Sequence, residues 1–455
     1  MAATAPDEPA DSDPGRRLAE SLFRRAVAAC QPETLVKSAL HDLEWPANAE
    51  PGSPVWIFSA GKAADGMAAA AVDELKSRRL VLAGGLVVAA DDTRARRLLP
   101  SVRHVKGDHP LPGNDSQAAA IALEHFAAGV ARTDRVLALI SGGTSSLIGA
   151  PVEGIRFEHY WSLCAALLDS GLDITELNVV RKRFSRWGAG RLALALWPSP
   201  IATIAISDVP FDDPEVIGSG PTVGDHATVR NVRDLLERVP LPADVRRPLD
   251  RWLTEVETGA RSDTPKPGAS DLAHASRPTV ITAEVLLHAA IDAARAAGAG
   301  RVVGRADRVS GEAARSGAML AADLIGFARS LGRGQIGVIV AYGEPVVLLP
   351  PGAPPGGRCQ EMALMAARIL HDQGHDGVRC TLLAAGSDGR DGATEAAGAV
   401  VNATTWRKIT EAGIDPDRAL TSHGSNAALR AVGALIPRFP SGTNLGDVMI
   451  GIVQT

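Results

Sequence analysis

Apolar positions along the chain follow two spacings. Short continuous runs at Val55–Ser59, Val136–Ile140 and Ile201–Ile206 read as buried parallel strands, and Leu80–Ala89 and Val102–Lys106 add two more. Between them lie stretches at helical spacing. Leu18, Leu22, Ala26 and Ala29 mark a helix over Arg16–Cys30, and Pro32 opens another through Leu40. An Ala-rich helix ends near Lys76, and residues 156–170 and 175–196 read as two further helices. A second series begins near residue 278. Strands are expected at Thr279–Thr282, Arg301–Arg305, Ile336–Val340, Leu382–Ala385 and Val448–Val453, with helices over 283–298 and 311–330. The apolar run Val346–Leu349 is expected to fold back on Ile336–Val340 as a hairpin. Strands alternating with helices predict an α/β fold.

The 455 residues exceed one ordinary core, so two or three domains are expected. Residues 258–277, rich in Pro, Gly and Ser and without periodicity, read as a linker or long surface loop. The boundaries expected are a disordered tail over 1–14, a first domain over 15–277 and a second over 278–455. Aromatics make up only 4%, so the core must be built from Ala, Leu, Val and Ile. The net charge of −5, with no basic stripe, argues against a nucleic-acid or anionic-membrane partner. No apolar run reaches the roughly 18 residues of a membrane helix, and no signal-peptide core is seen at the start. Cys30, Cys164, Cys359 and Cys380 are far apart, which fits reduced thiols in a cytoplasm rather than disulfides or zinc. His371 and His375, at the end of a helix, read as surface residues rather than metal ligands.

The candidate chemistry sits where strands end. Val136–Ile140 breaks into Ser141-Gly142-Gly143-Thr144-Ser145-Ser146. Two glycines allow a turn whose N–H groups point at one spot, ringed by hydroxyls, as in an anion cradle. The plain alternative is a glycine turn closing a strand, and no Walker A lysine follows. After the first strand, Gly61-Lys62 places a lysine in the expected first helical turn, against the helix dipole. It serves either bound anionic oxygens or solvent. His109, in Gly107-Asp108-His109-Pro110, either faces the site or bonds within its loop. Asn178, Arg181 and Ser185 share one helical face. Ile201–Ile206 ends in Ser207-Asp208-Val209-Pro210-Phe211-Asp212-Asp213, then Gly218-Ser219-Gly220-Pro221-Thr222. Such aspartates hold Mg²⁺, accept a proton, or simply make turns. In the second half, Gly356-Gly357-Arg358 opens a helix, and Gly386-Ser387-Asp388-Gly389 follows a strand. Two Gly-flanked cations, a hydroxyl-lined loop and acidic loops after strands suit phosphoryl transfer, which needs positioning, positive charge and one base. Lys62 and Arg358 would meet in a site between two domains.

The segments AGKAADGMA, GDHPLPGND, LISGGTSSL, LNVVRKRFS with GRLA, ISDVPFDDPEVIGSGPTVGD, GEPVVLL, GGRCQEMAL, AAGSDGRDGATEAAGA and SGTNLGD occur in this order from about residue 20 to 455. In them the chain resembles the glycerate 2-kinase family with a C-terminal MOFRL domain, sometimes described as hydroxypyruvate reductase. The resemblance implies a Rossmann-like three-layer α/β/α domain over 15–277 and a smaller mixed α/β MOFRL-like domain over 278–455, with the active site in the cleft. It implies transfer of phosphate from ATP, with Mg²⁺, to the 2-hydroxyl of D-glycerate or a related hydroxy or sugar acid. Lys62 and Arg358 would be the catalytic cations. Ser141, Gly142, Gly143, Thr144, Ser145, Gly220 and Thr222 would hold the nucleotide. Asp208 and Asp388 would bind metal or act as base. Asn178, Arg181, Glu344 and Asn444 would line the cleft. The implied partners are ATP and a small hydroxy acid, and a homodimer is left open.

Several positions depart from the family pattern. Gly188 stands where a lysine is usual, Phe211 and Tyr342 replace glycines, Cys359 replaces an asparagine and Ser387 a threonine. These departures point to a different or larger acid. A non-catalytic or degenerate paralogue that binds nucleotide or acid is the alternative. A hydroxypyruvate reductase would need a nicotinamide site, and no GxGxxG follows any strand.

Overall fold

Among the described residues, the strand-length runs assemble into two six-stranded sheets. The computed structural model describes residues 13–43, 49–90, 100–373 and 377–455. They form two units. One comprises residues 31–282 with 442–444, and the other holds the described residues up to Cys30 with 283–441 and 445–455.

The first unit is built on six parallel strands: β1 Pro54–Ala60, β2 Val81–Ala89, β3 Val102–Lys106, β4 Arg135–Ile140, β5 Ile201–Ile206 and β6 Thr279–Ile281. Their order is β3-β2-β1-β4-β5-β6. This is the Rossmann order, which reverses direction between β1 and β4 and opens a crevice at the carboxyl ends of those strands. Ala60 lies opposite Ile140, so the turns after β1 and β4 emerge side by side. The strands are buried on both faces, which explains their unbroken apolar runs. Phe58, Leu86, Val136, Ala138 and Ile140 pack with Ala119, Leu123 and Phe126 of helix Asn114–Gly129. A separate apolar cluster joins helices Phe157–Asp169, Ile174–Phe184, Val229–Leu236 and Ala243–Glu257 through Tyr160, Leu163, Phe184, Leu249 and Trp252.

Two expectations change here. The helix expected over 175–196 is two helices, Ile174–Phe184 and Arg191–Ala195. Ser185 turns extended, and Ala189 (φ +53°) and Gly190 (φ +77°) take the left-handed region that no helix continues through. Residues 258–277 are a packed long loop. The Ile201 N–H donates to the His274 carbonyl and the Ser276 N–H to the Ile201 carbonyl, both at 2.9 Å, and Thr264 and Leu272 are buried.

The second unit has a mixed sheet, β11-β10-β9-β12-β8-β7. Its strands are β7 Arg301–Gly304, β8 Ile336–Gly343, β9 Arg379–Gly386, β10 Ala396–Asn402, β11 Leu435–Pro437 and β12 Asp447–Gln454. The central β12 runs antiparallel to β8 and β9, and β7 is parallel to β8. Helices Ala313–Ala328 and Arg358–Gln373 pack tightly, because a Cβ on Gly317 would stand 2.1 Å from the Met362 carbonyl oxygen. No hairpin forms at Val346–Leu349. Val346 makes a lone bridge to Glu312, and Leu348 stays 86% exposed. Pro345 and Pro350, which lack N–H donors, flank the segment and favour this outcome.

The N-terminal helix Pro14–Ala29, expected in the first domain, packs on β9, β12 and helix Glu284–Ala296 of the second unit. Asp13 caps it, accepting from the Gly15 N–H at 2.9 Å and from Asn402 Nδ2 at 2.8 Å. Asp13 and Pro14 are therefore ordered, whereas the rest of the expected tail, 1–12, lies outside the described residues. So does His375, while His371 is exposed near the end of its helix.

Candidate functional site

The crevice of the first unit is built by two turns. Lys62 precedes helix Ala64–Ser77 rather than sitting in its first turn. Its N–H donates to the Gly142 carbonyl at 2.9 Å, and the Ala63 N–H donates to Ser141 Oγ at 3.1 Å. The turn after β1 is thus bonded to the turn after β4. The Lys62 side chain is exposed. Three close approaches require small residues here. A Cβ on Gly61 would meet Ser141 Oγ at 2.1 Å, and one on Gly142 would meet the Asp208 carboxylate at 1.7 Å. Gly143, at φ +90°, faces the His109 ring and the Lys62 chain at 3.0–3.6 Å.

His109 is therefore part of this crevice. Burial, then the charges of Lys62 and Arg181, hold its pKa below the ordinary value, so the imidazole is neutral at pH 7. Lys62 and Arg181 thus both lie near enough to His109 for their charges to act on it. Arg181 Nη2 donates to Asn178 Oδ1 at 3.1 Å. Asn178 also accepts from Ser219 Oγ at 2.8 Å, and Ser219 bonds Ser145 Oγ at 2.7 Å. This chain ties helix Ile174–Phe184 to the glycine turn. Sequence reasoning passed over Ser219; its signal was the Gly-Ser-Gly run, and in the structure it takes φ +65°.

The hydroxyls of the glycine turn are already engaged. Thr144 Oγ1 donates to the Ala60 and Ser141 carbonyls at 2.7 and 2.8 Å, and Ser141 Oγ also reaches Ala60 O. What the turn offers an anion is its Gly142 and Gly143 N–H groups, with the Lys62 chain beside Gly143. Gly220 and Thr222 do not join them. Thr222 is buried and bonds Thr203 Oγ1 at 2.9 Å, and the Gly220 carbonyl accepts from the Gly190 N–H. Asp213 caps its own turn through the Glu215 N–H, leaving Asp208 as the carboxylate against the glycine pair. Among the described residues no group of three ligating side chains could hold a metal ion.

Beneath helix Ile174–Phe184 lies a buried charge network. Asp225 accepts from Lys182 Nζ at 2.9 Å and Arg183 Nη2 at 3.2 Å, and Lys182 also reaches Glu215 at 2.7 Å. Arg183 pairs further with Asp263. Gly188 packs on Ser219 and Lys182, where a Cβ would stand 3.1–3.4 Å from their atoms. The absent lysine therefore leaves a tightly filled position.

Phe211 is 93% exposed at φ +62°, followed by Asp212 at φ +52°. A bulky residue in that region is strained by about 1–2 kcal/mol. Phe211→Gly is expected to raise stability by about 1 kcal/mol in denaturant titration. An unchanged or lowered midpoint would mean the ring has packing partners.

The second unit gathers Arg358, Glu344 and Asp388 at the ends of its strands. Arg358 is clamped: Nε and Nη2 donate to Asp447 at 2.6 and 3.0 Å, and Nη1 meets Glu344 at 2.9 Å. Burial opposes its charge, but Asp447 and Glu344 outweigh burial and keep the guanidinium ionised. The Gly-Gly-Arg helix start is likewise filled from within. Asp391 accepts from the N–H groups of Cys359 and Gln360 at 3.0 and 2.8 Å and from Gln360 Nε2 at 2.9 Å. A Cβ on Gly357 would stand 2.3 Å from that carboxyl group. Asp388 Oδ1 accepts from the Arg390 N–H at 2.9 Å. A cavity of about 650 Å³ is lined by Arg358, Glu361, Asp388, Arg390, Asp391 and His423, with Pro345–Val347 and Leu349 along its apolar side. Tyr342, at the end of β8, reaches the Ala306 carbonyl at 3.4 Å, and Cys359 is fully buried. Asn444 belongs to the short segment 442–444 that groups with the first unit.

Residues 18–254 match the family described as a domain of unknown function, DUF4147, and residues 337–447 match the MOFRL family. A glycerate 2-kinase of Pyrococcus horikoshii is 33% identical over 88% of this chain and 88% of its own. An Agrobacterium vitis protein, named provisionally as a hydroxypyruvate reductase, is 33% identical over 95% of this chain and 93% of its own. The crystal structure of a glycerate kinase from Thermotoga maritima superposes with a TM-score of 0.79 at 30% identity, covering 96% of this chain and 99% of that one. The chain belongs to the glycerate 2-kinase family of DUF4147 and MOFRL proteins. No described helix is long and apolar enough to cross a membrane.

Proposed function

We propose that this chain transfers the γ-phosphoryl group of ATP to the 2-hydroxyl of D-glycerate or of a closely related hydroxy acid. The observation that carries this reading is the Gly142-Gly143 turn at the switch point of a Rossmann-ordered sheet, with the Lys62 chain and the His109 ring against Gly143. Phosphoryl transfer asks little covalent chemistry of a protein and much charge and positioning. Two glycine N–H groups and Lys62 supply that charge, with Arg181 tied to the turn through Asn178, Ser219 and Ser145. Neutral His109 adds a hydrogen-bonding group without adding repulsion between cations. Asn178 and Ser219 fix Arg181, so its charge costs little reorganisation when the phosphate arrives.

The residues present fit a Mg²⁺ ion that arrives with ATP. Such an ion keeps most of its waters and phosphate ligands and needs one or two carboxylates, of which Asp208, against the glycine pair, would supply one. When bound, the ion neutralises charge on the phosphates. Four free, buried cysteines support a reducing compartment such as the cytoplasm.

Purified protein with ATP, Mg²⁺ and D-glycerate should release ADP and form 2-phosphoglycerate, identified by phosphorus NMR. Oxidation of NADH with hydroxypyruvate, and no ADP release, would instead favour a reductase. ADP release only with larger acids would assign the changed Phe211 and Tyr342 positions to substrate choice.

A further inference from the structure

We propose that a cavity of the first unit, lined by helix Asn114–Gly129, the segment 150–157 and Trp252, binds an organic anion, with its oxyanion on Arg191 and its apolar body against Ile121, Val152 and Phe157. The cavity measures about 1040 Å³. Neither Lys62, His109, Gly142 nor Gly143 lines it, so it is separate from the crevice at the strand ends.

The charge without a counter-ion here is that of Arg191. Its guanidinium turns back on the end of helix Ile174–Phe184. Nη1 donates to the Lys182 and Ser185 carbonyls at 3.1 and 3.0 Å, and Nη2 donates to the Arg183 carbonyl at 3.0 Å. A guanidinium carries five N–H donors. The Nε–H and one N–H of Nη2 are therefore left, with no hydrogen bond to a described residue, and Arg191 forms no ion pair with one. Carbonyl dipoles orient the charge but do not neutralise it. Burial, and then the charge of Arg183, push the Arg191 pKa down to about 10, and Asp225 offsets only part of that cost. Two open N–H groups on one guanidinium suit the paired oxygens of a carboxylate or phosphate.

The other charges of the lining are balanced in place. Arg186 pairs with Glu124 at 2.6 Å and Arg261 with Glu255 at 3.1 Å, while Glu153 is exposed. Arg191 and Arg261 both stand over the Trp252 ring, at 6.0 and 5.7 Å from its centre. Trp252 is 3% exposed, and its Nε1–H has no partner among the described residues, a second buried donor left open beside Arg191. Ile121 is 53% exposed on its helix, an apolar side chain without cover. A cation, open donors and an apolar wall in one concave place fit an acid or phosphate ester with a hydrocarbon body better than inorganic phosphate or a neutral molecule.

Phenyl phosphate is the probe, because it joins one oxyanion to one ring. Titrated calorimetrically into the full chain in the presence of excess ATP and Mg²⁺, it should bind with a Kd below about 1 mM, and about tenfold tighter than inorganic phosphate or benzyl alcohol. It should also move the Trp252 indole N–H resonance, identified as the one that Trp252→Phe removes. Ile121 is exposed, so its replacement opens no cavity in the core. Ile121→Glu should raise the Kd about tenfold by repelling the anion, whereas Ile121→Lys should raise it less than about threefold, its stem covering the same wall. Binding that excess ATP abolishes would put the probe in the crevice and overturn the site. Benzyl alcohol binding as tightly, or equal losses in Ile121→Glu and Ile121→Lys, would overturn it as well, since either outcome removes the role of charge. An indole resonance unmoved at about 10 mM phenyl phosphate would do the same.

Discussion

Lys62→Ala is expected to lower kcat/KM with ATP and D-glycerate by about 10³-fold and to leave Tm where it was. The two halves of this result have separate causes. The Lys62 side chain is exposed, so its removal opens no cavity. What holds the turn is the Lys62 backbone N–H, bonded to Gly142 at 2.9 Å, and alanine keeps that bond. The ammonium group belongs to the cation whose chain lies against Gly143. Losing one preorganised charge on a developing phosphate costs about 3–4 kcal/mol of transition-state stabilisation. Arg181→Ala should cost less activity through charge but more through order, because Arg181 is anchored on Asn178. Steady-state kinetics beside a thermal melt would separate these effects. A Lys62→Ala enzyme with full activity would move the phosphate site away from this turn.

Asp225→Ala is expected to destabilise the first unit by about 3–5 kcal/mol. Asp225 has no exposed surface and meets Lys182, Arg183 and Thr264, with Arg183 equally buried. Removing the carboxylate leaves two buried cations short of a partner, and that uncompensated charge, rather than the lost attraction, dominates the cost. Burial alone would raise the Asp225 pKa, yet Lys182 and Arg183 outweigh it and hold the carboxyl below its ordinary value. Glu215 follows the same pattern, with burial outweighed by Lys182 and His226. A folded pKa below the unfolded one gives stability that is present above the unfolded value. That stability is lost as pH falls through the folded value, so acid unfolding should begin below about pH 4. Denaturant titrations of wild type and Asp225→Ala at pH 7 and pH 3.5 would check both statements. The variant should lack much of the acid-sensitive component. A midpoint within experimental error of wild type at pH 7 would show that the cations find other partners.

The sheet strands were legible because residues buried on both faces must be apolar without interruption, as at Val136–Ile140 and Ile201–Ile206. The glycine turns after β1 and β4 were legible too, since only small residues survive approaches as close as Gly142 to Asp208. So was the break at 184–191, in hindsight, through Gly188-Ala189-Gly190. Chemistry was harder to read. Thr222 has the composition of a phosphate contact, yet it faces Thr203 in the core. Arg358 looked like a free cation at a helix start, yet Asp447, 89 positions further along the chain, claims it.

The chain's own order thus determined which segments are strands and which turns must be glycine. These follow from local sterics and from the burial of each short run. Only the tertiary structure decided which charges are spent on each other and which are left for a ligand. It joined helix Pro14–Ala29 to strands more than 350 residues away. It also brought the charges of Lys62 and Arg181 to bear on His109 and set His423 against Glu361. The physical reason is that amphipathic spacing states that a face must be buried but not against what, and a charged residue's role depends on partners that the sequence separates.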